Sequence, residues 1–229
     1  MTHDQQFKKW DEWLGKIIED VENQLINRRI FWEVQNIIDA NSQIQQPSSF
    51  YGWMGTLYAA TGAAGVRRQV DLDKQSISFV RLLEEIIKWP EVLSRKRFVT
   101  LYVSKDPFLE RSANLHFDDF AGSGKPHIDP SVVEGELKQL RDKAEVLKKF
   151  ATKRVAHLDK NPPRRVPTYG ELDDCLDLME RLLKKYVMLF RCEGYDLPEW
   201  LTDWKAIFRE PWITPDHPWR GDALPLISN

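Results

Sequence analysis

Histidine is the side chain best suited to moving protons near neutral pH, and the sequence holds five: His3, His116, His127, His157 and His217. No Gly-x-Ser-x-Gly elbow and no His-Glu-x-x-His pair is present, so serine-triad and zinc-protease chemistry are not indicated. His116 precedes Asp118 and Asp119, a run that could collect a hard metal ion. In a segment with little periodicity a solvated loop is the better reading, and no metal is expected. His157 stands apart because of its surroundings. Residues 137–165 carry ten cations (Lys138, Arg141, Lys143, Lys148, Lys149, Lys153, Arg154, Lys160, Arg164, Arg165) against three acids, Asp142, Glu145 and Asp159. That is +7 within a chain of −2, leaving −9 for the rest. Such a block suits a phosphodiester backbone, with His157 positioned to transfer protons. It equally suits the simpler purpose of answering a helix macrodipole with C-terminal cations.

A second chemical signal is weaker. Gly122-Ser123-Gly124-Lys125 has glycines and a lysine, but lacks the Gly-x4-Gly-Lys-Ser/Thr spacing and the strand that precedes a phosphate loop. Nucleotide binding is not expected there, and no cofactor is implied.

The elements that must position these residues are helices. Phe7, Trp10, Leu14, Ile17, Ile18, Val21 and Leu25 recur at steps of three and four, and the stripe resumes through Ile30, Phe31, Val34, Ile37 and Ile38, as one helix or as two joined near Asn27. Residues 41–49 read as a loop. Phe50, Trp53, Met54, Leu57 and Tyr58 open a third segment, broken at Asp71-Leu72-Asp73. Ser76 is expected to cap the next helix, which Pro90 limits. The run Phe98-Val99-Thr100-Leu101-Tyr102-Val103 has strand-like residues but no partner, and a short helix is expected. Residues 104–128 predict a long loop, open to a lid, partner or disordered role. Asp129-Pro130 starts the longest stripe, from Val133 to Leu158. Thr168-x-x-Glu171 is a capping box for a helix that Gly194 should stop. A short helix follows Pro198. The expected fold is an all-α bundle of about six to seven helices, one domain over 1–210 with an extended tail over 211–229.

Composition sets further limits. At 229 residues, 42% hydrophobic and 30% charged, the chain can bury a core. Two cysteines without a Cys/His cluster predict neither a disulfide framework nor structural zinc. The polar N-terminus has no signal-peptide core and no segment spans a membrane, so a cytoplasmic location is expected. The nine tryptophans are read as packing anchors rather than base-stacking platforms.

Three stretches carry a family resemblance. Arg67-Arg68-Gln69-Val70-Asp71-Leu72-Asp73-Lys74-Gln75-Ser76-Ile77-Ser78 is followed by Lys153-Arg154-Val155-Ala156-His157-Leu158-Asp159 and Pro167-Thr168-Tyr169-Gly170-Glu171-Leu172. In type and order these resemble the AbiU-type abortive-infection branch of the HEPN superfamily. The resemblance implies a HEPN-like helical bundle that homodimerises. It further implies a metal-independent endoribonuclease of toxin or antiphage-defence type, with an antitoxin or defence-system partner protein. His157 matches the family's histidine, which helps the RNA 2′-hydroxyl attack the phosphate, and Thr152 matches its polar position. The family's arginine slots fall on Phe150, Ala151 and Thr152, where this sequence has no arginine. Lys153, one helical turn ahead of His157, or Arg154 would then serve the phosphate, with Lys149, Arg67, Arg68, Lys160, Arg164 and Arg165 as RNA-backbone contacts. Asp159 could orient the ring or bond the backbone. The missing arginine equally suits a HEPN-fold module that binds RNA or a protein without cutting. A third reading is a structural or regulatory protein assembling through its Trp-rich tail.

Overall fold

The computed structural model describes residues 2–105, 107–157, 159–163, 165–197 and 203–210. The chain separates into two units, Met1–Leu197 and Pro198–Asn229. The boundary expected at 210 falls inside the second of these. Within that unit the described residues form a short 3-10 turn, Trp204–Arg209, while the predicted tail, 211–229, lies outside the described residues.

The first unit is an all-α bundle with no strand among the described residues. Its helices are α1 His3–Ala40, α2 Ser49–Gln69, α3 Phe79–Lys88, α4 Arg95–Lys105, α5 Glu110–Ala121, α6 Pro130–Phe150 and α7 Tyr169–Arg191. α1 packs on α2 and α7, α3 on α6, α4 on α5, and α6 on α2 and α7. The core they enclose runs from Trp10, Leu14 and Ile17 of α1 through Phe79 and Leu83 of α3 to Leu140, Leu176 and Tyr186, all essentially inaccessible.

Local chemistry accounts for most boundaries. Thr2 and Gln5 form a capping box at the start of α1, and Thr168 with Glu171 does the same for α7. Asp129 caps α6, with Pro130 at a position where its missing N–H costs no intrahelical bond. α1 is continuous across Asn27. With neither Gly nor Pro nearby, one exposed asparagine costs only a fraction of a kcal/mol, under ~0.7, in a helix interior.

Four expectations are corrected. The cap of α3 is Ser78, whose Oγ accepts from the Arg81 N–H (3.2 Å) and donates to the Asp71 carbonyl (2.7 Å). Ser76 instead bonds the Asp73 carbonyl inside the preceding turn. α7 ends at Cys192, which takes the left-handed conformation (φ 51°), two residues before Gly194. The long loop at 104–128 is largely helical. α5 buries Ala113, Phe117 and Ala121 at steps of four, a stripe whose alanines add little hydrophobic signal. It begins at Leu109 with no side-chain cap, so the sequence lacks a start signal as well. Finally, not all tryptophans are anchors: Trp10 is fully buried, but Trp53 is 56% and Trp89 53% exposed.

Candidate functional site

α6 does not end as an α-helix. Residues Ala151–Ala156 continue it as a π turn, and His157 follows in extended backbone (φ −139°, ψ 148°). π turns are rare insertions in α-helices, frequent where a side chain must be re-aimed for function. Here the wider turn, followed by extended backbone, cancels the helical relation expected between Lys153 and His157. The Lys153 ammonium turns to the chain beyond, reaching the Asn161 carbonyl (3.0 Å) and the Asp159 carboxylate (3.7 Å). Asp159 also accepts from the Asn161 N–H (2.7 Å), and its own N–H bonds the Lys153 carbonyl (3.2 Å). Of the two roles open to Asp159, the structure shows the backbone one. Lys153 and Asp159 staple the loop after α6, while His157 stands exposed.

The basic block is largely neutralised. Lys138, Lys149 and Lys153 pair with Asp142, Glu145 and Asp159 inside the block. Arg141, Lys143 and Arg165 pair with Glu84, Asp174 and Glu171 from outside it. Lys148, Arg154 and Lys160 have no ion pair among the described residues; Arg154 and Lys160 are exposed. Arg164 lies outside them. The positive field therefore survives at the C-terminal end of α6, beside His157, and not along its length.

The remaining predicted contacts divide in the same way. Arg165 grips both Glu171 oxygens (2.6 and 2.8 Å), and Glu171 accepts from the Thr168 N–H (2.9 Å). The arginine bond first, then Thr168, hold the Glu171 carboxyl down to about 2. Arg165 thus serves the start of α7. Arg68 donates to Asp20 of α1 (2.6 Å), which also accepts from Gln69 (2.6 Å). Arg67, at the exposed end of α2, has no ion pair among the described residues. Thr152 is half-buried, and the arginine-slot residue Ala151 is buried.

Other candidates fall away. The His116 ring meets the Tyr102 hydroxyl (3.3 Å), whereas Asp118 binds Arg95 and the Gly124 N–H (3.0 Å). The glycines of Gly122-Ser123-Gly124-Lys125 serve to end α5, with φ of 88° and 68°, and Gly124 turns its N–H on a carboxylate of the protein itself. Among the described residues, no group of three or more His, Cys, Asp or Glu could hold a metal ion. Burial pushes the Cys175 thiol up to about 12, so it is no nucleophile at neutral pH. No described helix is long and apolar enough to cross a membrane.

One constellation leaves no trace in the sequence. Asp173 at the start of α7 accepts from the Tyr58 hydroxyl (2.5 Å) and the Trp32 indole (2.8 Å), while Arg28 spans Asp177 and Glu180 alongside. Phe31 stacks on Tyr58 at 4.2 Å between ring centres. Burial first, then Asp173, raise the Tyr58 phenol well above its usual value, so it stays a neutral donor. The cluster fastens α1, α2 and α7 and borders an apolar groove of about 290 Å³ lined by Phe31, Val34, Met54, Leu57 and Tyr58. Its members are scattered from Arg28 to Glu180, and none carries a motif.

Compared with family models, curated proteins and solved structures, the chain finds no match in any of the three.

Proposed function

We propose that this protein is a HEPN-like, metal-independent endoribonuclease of toxin or antiphage-defence type, acting in the cytoplasm, with His157 as its acid–base group. The observation that carries the reading is the end of α6. A histidine stands exposed in extended backbone immediately after a π turn, beside Arg154 and Lys160, neither of which has an acid partner among the described residues. RNA phosphates would meet Arg154 and Lys160. His157 would take the proton from the 2′-hydroxyl as its oxygen attacks phosphorus and the bond to the departing 5′-oxygen breaks. The cations offset the charge that gathers on the phosphate. Lys153 drops out of the phosphate role because Asp159 and Asn161 hold it. A second copy of the chain completes the cleft, as the resemblance implies, and an antitoxin or defence partner restrains the activity.

A specific observation favours a second reading, a module that binds RNA or a protein without cutting it. The arginine slots are filled by Phe150, Ala151 and Thr152, and the nearest lysine is occupied. Arg154 must then replace a guanidinium that the family carries elsewhere on the turn.

The test compares wild type, His157→Ala and Arg154→Ala, induced in bacteria and, once purified, incubated with single-stranded RNA in EDTA. The nuclease reading expects growth arrest and RNA cleavage in chelator from wild type, with His157→Ala losing both. RNA left whole but bound equally by wild type and His157→Ala replaces it with the binding module. Absence of both cleavage and binding overturns the RNA assignment.

A further inference from the structure

We infer that the cleft between the first half of α6 and the second half of α7 is a binding site for a small organic monocarboxylate, whose anionic end Arg181 holds. The inference does not rest on the ribonuclease reading, which concerns the opposite, C-terminal end of α6.

A charged floor underlies the cleft. The Glu136 carboxylate takes the Lys185 ammonium on one oxygen (2.5 Å) and the Tyr186 hydroxyl on the other (2.7 Å). Tyr186 is fully buried, and the ion pair is largely dry, with Lys185 14% and Glu136 17% exposed. Charges held away from water attract an ion bound beside them more strongly than they would in bulk solvent. Above this floor the helices part around a space of about 380 Å³, the size of a small-molecule site.

The register of the two helices brings further donors to the same place. The links Glu136–Lys185 and Lys143–Asp174 show that α6 and α7 run antiparallel. Gln139, one turn on from Glu136, therefore stands level with Arg181, one turn back from Lys185. Both line the cleft and both are exposed. Among the described residues Arg181 has no ion pair and Gln139 no side-chain hydrogen bond. Gly135 gives the cleft its room. Glycine is a poor helix former, yet this one sits inside α6, without a positive φ, and a Cβ added there would meet nothing within 4 Å. Neither packing nor backbone conformation calls for it; its missing side chain leaves space.

The ligand follows from the charges and the donors. Arg181 and Lys185 against Glu136 leave one net positive charge facing the cleft, which matches a monoanion. A phosphate dianion would outweigh it and meet the Glu136 carboxylate as well. The guanidinium fork fits both oxygens of a carboxylate, and the Gln139 amide and the remaining ammonium hydrogens of Lys185 can add to it. At the other end Ser131 has given its hydroxyl proton to Asp129 (2.7 Å), so it offers an anion no donor. Val132 and Leu182 line the cleft there as apolar surface. The carboxylate thus lies at the Arg181 end, with an apolar body running toward Val132.

The test is a chemical-shift titration of the full chain with benzoate. Amides of residues 131–139 and 178–185 should shift and saturate, with a dissociation constant on the order of 1 mM. Arg181→Gln, with an unchanged circular dichroism spectrum, should weaken binding about tenfold or more. Gly135→Leu should fill the cleft and abolish it, and benzamide, of the same shape without the charge, should leave the spectrum unmoved. No saturable shift by about 20 mM benzoate overturns the site, as does a shift that neither variant diminishes. Tighter binding of phenyl phosphate than of benzoate overturns the monocarboxylate assignment.

Discussion

Between residues 137 and 165 the sequence writes ten cations; three pair with acids of the same stretch and three with acids outside it. On α2 the sequence writes an apolar helix of the kind that fills a core, yet Trp53 and Leu57 stand 56% and 44% exposed. A local tally misjudges both regions, in opposite directions. Charge is long-ranged and pairs with whatever the tertiary structure brings near: Glu84, Asp174 and Glu171 come from other elements. An apolar stripe says that a side chain prefers burial, and nothing in its spacing says what does the burying. The surface that looks most like a binding site in the sequence is mostly salt-bridged, and part of the stretch that looks most like core stands exposed.

The largest effect that can break this comparison is in stability. Leu83→Ala, at a fully buried position of α3, should cost about 2–5 kcal/mol, while Leu57→Ala, measured where the chain is monomeric, should stay within about 0.5 kcal/mol. Equal midpoint shifts in urea would mean that the α2 face is part of the core after all. The next effect concerns charge. Substituting Lys148, Arg154 and Lys160 together by glutamine should lower the slope of log K against log salt for single-stranded RNA by about two, at ~0.7 per lost phosphate contact. The same change at Lys138, Lys143 and Lys149, already paired with acids, should move it by less than about half. Similar slopes for the two triple variants would show that the ion pairs yield to RNA and that the whole block binds.

Smaller effects sharpen the account of Arg165 as a structural residue. Thr168→Ala removes the capping box of α7 and should cost about 1 kcal/mol in thermal or urea unfolding. The partner of that box carries a pH signature. Glu171 sits at about 2 in the folded protein against ~4.3 in an unfolded chain. Its contribution is fully present above the unfolded value and disappears as pH falls from there toward 2. An acid titration of Glu171→Gln should therefore show less loss of stability over that interval than wild type. The smallest change is Lys138→Ala: its exposed pair with Asp142 is screened by solvent, and the urea midpoint should not move measurably.

Helix periodicity, the caps at Asp129 and Thr168 and the all-α class were legible in the sequence because each depends on residues within a few positions of one another. α5 was not, since an uncapped start and a stripe of two alanines and one phenylalanine emit almost no local signal. Within the candidate site, the isolation of His157 among cations could be read directly. The π turn could not, and with it went the assignment of Lys153. The π turn lies where residues 151–156 meet α2, a contact that nothing in Ala-Thr-Lys-Arg-Val-Ala signals.

Sequence alone thus determined where α6 and α7 begin, which stripes seek burial and that one histidine stands in a basic stretch, because backbone hydrogen bonding and side-chain capping act over single turns. Only the tertiary structure decided which cations keep a free charge and how far Trp53 and Leu57 of α2 stay exposed. Part of each depends on groups distant in the chain, as where Arg141 meets Glu84 and Lys143 meets Asp174.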